Sequence, residues 1–248
     1  MHFYTQQAEP RHFVEMKTRP GEFRPTRISD AKKEGWLPSV TTVLDILAKH
    51  ALVGWKIDQH LIQAFGMPMG LTRDEYISEV KMRTETQMDK APSAGTDLHN
   101  LMEKYWKGES LSNDEMAICV PIAAKIIHET NVNTFIAEQH FAHPYGYAGM
   151  VDLAGDGWVV DYKTKQTADK FKPGKMAYPD HARQLAAYRV GLKMPDAHCA
   201  NAFVCLETGE IDFHVHPEAD LQRGWETFLD CLSIWKRENF NSEFHLSN

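Results

Sequence analysis

Asp152, Asp161 and Lys163 are the residues of this 248-residue chain whose types and spacing carry the most chemistry. Two carboxylates and an ammonium converging on one point are what phosphodiester hydrolysis asks of a protein. Carboxylate oxygens hold a hard divalent cation, the cation polarises a phosphoryl oxygen and activates water, and a positive charge steadies the anionic transition state. Asp161 and Lys163 are two residues apart in Trp158-Val159-Val160-Asp161-Tyr162-Lys163, a strand-like run, so both side chains project from the same face. The short turn Gly155-Asp156-Gly157 folds Asp152, near the end of the preceding strand, back beside them. Tyr162 points to the other face, yet its backbone carbonyl remains a candidate metal ligand. The plain alternative is a surface ion pair between Asp161 and Lys163. The apolar Trp158-Val159-Val160 approach argues against it, because a charge in such a strand is expensive unless paired or ligated.

Other residues gather around this core. Gln184 and Tyr188, in Gln184-Leu185-Ala186-Ala187-Tyr188, stand four apart on one helix face and could brace the site, touch a phosphate, or form the polar edge of an amphipathic helix. His99 and Glu103 make a similar pair downstream of Gly95, although a single helical histidine is more often structural. Glu138 sits mid-strand, as a third ligand or on the solvent side of an edge strand. Lys163, Lys165, Lys170, Lys172 and Lys175 face a single acid, Asp169, across one stretch, a plausible phosphate-backbone surface. His214 and His216 alternate on a strand and could chelate, but read better as surface residues. His181 lies one helical turn before Gln184. The aromatic turn Pro144-Tyr145-Gly146-Tyr147 could stack bases.

The elements that must position these groups can be read in outline. Residues 1–38 are rich in Pro, Arg and Gly and predict an extended basic arm. Ser39 caps a helix with Val40, Val43, Leu44 and Leu47 on one face. A helix over 52–65 follows, then a break. Thr72 and Glu75 form a capping box for a polar helix reaching about residue 90, and a separate helix runs over 94–106. Another begins at Asn113. Strands are expected over 134–141, 147–153 and 158–163, then a helix over 178–192. A hairpin over 202–206 and 211–215 precedes a long C-terminal helix with Leu221, Trp225, Phe228, Leu232 and Trp235 as its apolar stripe. This order predicts an α/β (α+β) fold, a mixed central sheet flanked by helices with an N-terminal helical region, all in one domain over 1–248.

Bulk properties exclude some classes. No run of eighteen apolar residues exists, so no membrane span is expected, and no targeting segment is evident at the N-terminus. Cys119, Cys199, Cys205 and Cys231 lack the spacing of a zinc or iron–sulfur site and read as reduced, buried thiols. The net charge of −7 argues against nucleic acid, but its distribution does not. Residues 11–33 hold seven bases against three acids, whereas nine acids oppose three bases after Leu206.

Taken together, Gly95-x-x-x-His99, Glu138, Gly149-Met150-Val151-Asp152, Asp161-Tyr162-Lys163-Thr164 and Gln184-x-x-x-Tyr188 resemble the RecB-like branch of the PD-(D/E)XK nucleases. The Leu37-Pro38-Ser39-Val40-Thr41 opening and the Trp-bearing C-terminal helix narrow the resemblance to mitochondrial genome maintenance exonucleases and their small phage and bacterial relatives, from about residue 24 to 240. That resemblance implies a restriction-endonuclease-like sheet and a Mg²⁺- or Mn²⁺-dependent exonuclease acting on single-stranded DNA ends or flaps. It implies His99, Asp152 and Asp161 as metal ligands, Lys163 as catalytic, Glu138 as an accessory acid, and Gln184 and Tyr188 as support. Relatives thread the strand beneath a helical arch, for which residues 54–93 are the candidate here. The lack of a targeting segment fits a bacterial or phage-infected cytoplasm. A structure-specific endonuclease of the same fold and a non-catalytic single-strand-binding module are the competing readings.

Overall fold

The computed structural model describes residues 1–47, 50–65, 67–68 and 70–240. Its centre is a mixed five-stranded sheet flanked by helices. The strands are β5 (Ile136–His143), β6 (Tyr147–Gly155), β7 (Trp158–Lys165), β8 (His198–Cys205) and β9 (Ile211–Val215), in the order β5-β6-β7-β8-β9. Neighbours run antiparallel except β7 and β8, which are parallel and joined through α6 (Pro179–Gly191). A parallel pair needs such a crossover, and here it lays α6 against β6, β7 and β8. The long helix α7 (Glu218–Phe240) packs on α6, burying Leu221, Phe228, Leu232 and Trp235 of the expected stripe. Its Trp225 stacks on Phe228 with ring centroids 5.8 Å apart.

One ring sets the spacing of this layer. Phe141 on β5 lies between Gly149 on β6 and Gly191 at the end of α6. A Cβ on Gly149 would come within 2.8 Å of the Phe141 ring, and one on Gly191 would run into it. Both glycines are there to admit the ring.

Where the sequence predicts one domain, the chain divides into two compact units: Met1–Ile46 with Leu101–Asn248, and Leu47–Asn100. The first contains the sheet. Its opening 38 residues are not a single extended arm. They form β1 (Phe3–Tyr4), a hairpin of β2 (Phe13–Met16) and β3 (Arg19–Pro25), helix α1 (Ile28–Glu34) and β4 (Leu37–Pro38). Burial explains the difference: Phe3 meets Trp235 of α7 at 6.3 Å, and β1 pairs with β4. Four of the seven bases in residues 11–33 pair with nearby acids, including Arg24 with Asp30 at 2.7 Å. Ser39 caps α2 (Val40–Leu44) as expected, accepting from the Thr42 N–H. Helix α5 (Asn113–Thr130) is capped by Ser112 and Glu115 and contains Pro121.

The second unit holds α3 (His50–Ala64) and most of α4 (Arg73–Trp106). The Thr72–Glu75 capping box is present, and Tyr76 donates to the Ala64 carbonyl at 2.9 Å. Val80 and Thr84 are buried, while Val53, Ile57, Leu61 and Phe65 are exposed. The sequence predicts two helices broken before Pro92, but α4 is continuous. Proline removes one i→i−4 bond without forbidding helical φ, and the same tolerance is seen at Pro121. The candidate arch, residues 54–93, falls within this unit; residues 66 and 69 lie outside the described residues. Among the described residues, no helix is long and apolar enough to cross a membrane.

Candidate active site

The strand registers place the acids. The β6–β7 ladder pairs Gly155 with Trp158, Ala154 with Val159 and Leu153 with Val160, then stops. One further step in that register sets Asp152 opposite Asp161. The β5–β6 ladder pairs Ala137 with Leu153 and Gln139 with Val151, skipping the position where Glu138 would face Asp152. Glu138 has φ +53°, a left-handed backbone that a residue with a Cβ adopts at some cost. Asp152 therefore sits at a gap in both ladders. Its carboxylate fills part of that gap, accepting the Tyr162 N–H at 2.7 Å. Asp161 continues the row into β8, where it lies beside Asn201.

Both aspartates are buried, Asp152 at 9% and Asp161 at 3% exposure. Asp161 is held from three sides. Lys163 Nζ lies 2.6 Å from Oδ2, Asn201 Nδ2 donates to the same oxygen at 2.8 Å, and Gln184 Nε2 donates to Oδ1 at 3.2 Å. Lys163 and Asp161 thus share a face, as period-two alternation predicts. Gln184 also accepts from Lys163 Nζ at 3.3 Å and donates to the Tyr188 hydroxyl at 2.9 Å. Burial works to discharge the Lys163 ammonium, but Asp161, aided by Asp152, more than offsets this and raises its pKa. Burial likewise keeps the Tyr188 phenol protonated, with Asp161 and Asp152 adding to the shift. Tyr162 points away, and its hydroxyl accepts from Trp106 Nε1 at 2.8 Å on the opposite face.

Glu103 pairs with Lys107 one turn along α4. His99 is half-buried on α4 and belongs to the second unit. Lys165 is half-buried, and burial with the adjacent Lys163 lowers its pKa. Its Nζ lies 6.0 Å from the centroids of the exposed Tyr178 and the buried Phe203 rings. Lys170, Lys172 and Lys175 are exposed on the segment between β7 and α6. That segment is pinned by Ala168 N–H to Glu207, by Gly174 N–H to Asp212, and by Phe171 and Met176 packed on Phe203. His181 caps its own helix, its Nδ1 accepting from the Tyr178 N–H at 3.2 Å. The aromatic turn belongs to the core: Tyr147 is fully buried and donates to the Ala187 carbonyl, and Tyr145 stacks toward Trp225. All four cysteines are buried and free.

Two functional candidates escape sequence reasoning. Asn201 lies inside the apolar run of β8, and His216, expected on the surface, is buried with Nε2 2.7 Å from Asn201 Oδ1. The signal for Asn201 was an amide alone in a hydrophobic strand. An adjoining cavity of about 480 Å³ is lined by His216, His214, Tyr178, Arg183 and Arg223.

Among the described residues, no three His, Cys, Asp or Glu side chains gather as a ready metal cage. The donors at the row are carboxylate oxygens, which suit a hard cation. Mg²⁺ commonly takes one or two carboxylates and completes its shell with backbone oxygen, phosphate and water. By that standard the residues fit a divalent ion.

No family model matches the chain, and no curated protein does. Among solved structures, a Eubacterium rectale protein named "Putative exonuclease" is 14% identical, with a TM-score of 0.42 over 61% of this chain and 70% of its own. The protein SSO0001 is 12% identical, with a TM-score of 0.33 over 75% of this chain and 87% of its own. Similarity at this level carries no argument about activity, so any function has to be argued from the row of acids on β6 and β7.

Proposed function

We propose that the chain is a metal-dependent nuclease that hydrolyses phosphodiester bonds of single-stranded DNA from ends or flaps. One observation carries the reading: two buried aspartates side by side at a gap in the sheet, with one ammonium 2.6 Å from the second. Buried carboxylates are costly unless compensated, and a site that gathers two of them is suited to a doubly charged ion. A divalent cation is the natural complement.

Asp152, Asp161 and the Tyr162 carbonyl would hold Mg²⁺ or Mn²⁺. Bound there, the ion would supply Lewis acidity toward a phosphoryl oxygen and acidify water. Lys163 presents its ammonium to the phosphate, where developing negative charge is steadied. Gln184 fixes both Lys163 and Asp161, and Tyr188 fixes Gln184. Glu138 is the accessory acid of the row. Lys165, Lys170, Lys172 and Lys175 meet the backbone phosphates, and the exposed Tyr178 ring beside Lys165 offers a surface on which a base stacks.

The test is digestion of linear, end-blocked and circular single strands with Mg²⁺, Mn²⁺ or EDTA. Loss of the linear strand alone, abolished by EDTA, is the expected result. Digestion of circles would make the protein an endonuclease. No digestion with either metal would leave only a binding module and end the proposal.

A further inference from the structure

We infer that Asn201 and His216 are a positioning pair that sets the direction of the Asp161 carboxylate, and that cation binding at the acid row depends on it. The inference rests on the nuclease reading and extends it to residues outside the motif.

Asn201 is fully buried in a strand that otherwise reads His-Cys-Ala-x-Ala-Phe-Val-Cys. A side-chain amide there is tolerated only if its donors and acceptor are used. Its Nδ2 donates to Asp161 Oδ2 at 2.8 Å and to the Asp161 carbonyl at 3.3 Å. Its Oδ1 faces His216 Nε2 at 2.7 Å. These contacts settle the amide's orientation. Only the NH₂ end can face a carboxylate and a carbonyl, so the oxygen faces the imidazole. His216 Nε2 must then carry a hydrogen and donate it.

His216 is itself fixed. It follows β9, its side chain is buried, and its backbone N–H donates to the Cys199 carbonyl of β8 at 2.9 Å. A chain of three buried polar side chains thus runs from the end of β9 through β8 to β7. It ends on the oxygen that Lys163 also approaches. Gln184 holds Oδ1 while Asn201 holds Oδ2, so the carboxylate plane is clamped from two elements. Metal ligands are oriented by such outer partners, and losing one commonly weakens metal affinity about ten- to hundredfold.

A merely structural pair would affect folding alone. The experiment therefore compares His216→Phe, which keeps a ring but no donor, with His216→Gln, which keeps an amide N–H. Each full-length protein is measured for Mn²⁺ affinity by electron paramagnetic resonance, for single-strand cleavage at saturating Mn²⁺, and for its urea midpoint. His216→Phe should lose about tenfold or more in Mn²⁺ affinity and slow cleavage, and His216→Gln should recover most of both. Wild-type affinity and rate in folded His216→Phe would overturn the inference. So would losses that follow the urea midpoint with no recovery in His216→Gln. If His216→Phe does not fold, Asn201→Asp decides. It keeps the shape but turns a carboxylate oxygen toward Asp161, so unchanged Mn²⁺ affinity there would also overturn the inference. Wild-type protein that neither binds Mn²⁺ nor cleaves DNA refutes the nuclease reading instead, and this inference falls with it.

Discussion

The two ends of the β6–β7 hairpin are built on opposite plans. At the turn, from Gly155 and Trp158 to Leu153 and Val160, backbone pairs with backbone and the side chains are mostly apolar. One residue further the ladder ends, and side chains take over: Asp152 accepts from the Tyr162 amide, and Asp161 is gripped by Lys163, Asn201 and Gln184. The closed end makes the sheet stable. The open end places two acids beyond the β6–β7 ladder and groups them. Charged side chains are concentrated where the β6–β7 hydrogen bonding is incomplete.

The largest expected effect breaks the open end. Lys163→Ala should lower the cleavage rate about a hundredfold or more, while binding of a fluorescent single strand survives. Asp161→Asn should do the same and also weaken Mn²⁺ binding. Near-normal rates in either variant would mean that the open end is not the reactive one.

A middle-sized effect comes from acid. Burial, then the neighbouring His214, pushes His216 down to about 4, against the opposing pull of Asp220. In the N-terminal segment, burial and then His2 push His12 down to about 4; His140 and the N-terminus add to this, and the Phe3 backbone opposes it. Both rings stay neutral in the fold while the unfolded chain takes up protons near pH 6.5. Their contribution to stability is therefore complete above pH 6.5, shrinks as the pH falls, and is exhausted near pH 4. At about 1.4 kcal/mol per pKa unit, the loss amounts to roughly a few kcal/mol. The urea midpoint should drop between pH 7 and 4.5, and the double variant His12→Gln, His216→Gln should drop less.

The smallest effect sharpens the contrast between the two faces of β7. Trp106→Phe removes the indole N–H that reaches Tyr162 behind the site. It should cost about 1 kcal/mol in urea unfolding and leave cleavage per folded molecule unchanged. A selective loss of activity would show that the rear face also tunes the acids.

Much of the front of the site was legible because it is local. Period-two alternation put Asp161 and Lys163 together, the Gly155-Asp156-Gly157 turn returned Asp152, and a four-residue spacing aligned Gln184 with Tyr188. Asn201 was not legible, because the parallel register between β7 and β8 is set by a crossover of more than thirty residues. His216 was misread for a different reason: it lies just past β9, and nothing local to that strand says that its ring folds inward onto β8. Residues 1–38 read as an extended arm because β1 finds its partner, β4, more than thirty residues away and Phe3 packs on α7, contacts that no local pattern announces. Pro92 read as a break because proline's cost is local, while helix continuity is decided by its surroundings.

Phe141 works as a feeler gauge between β6 and α6. The thickness of a single benzene ring, admitted by Gly149 and Gly191, fixes how far that helix stands off the sheet, and hence how far Gln184 reaches. Position 191 can acquire a side chain only if position 141 loses one. The two sites must drift as a pair, and the grip on Asp161 inherits its tolerance from a contact that carries no charge.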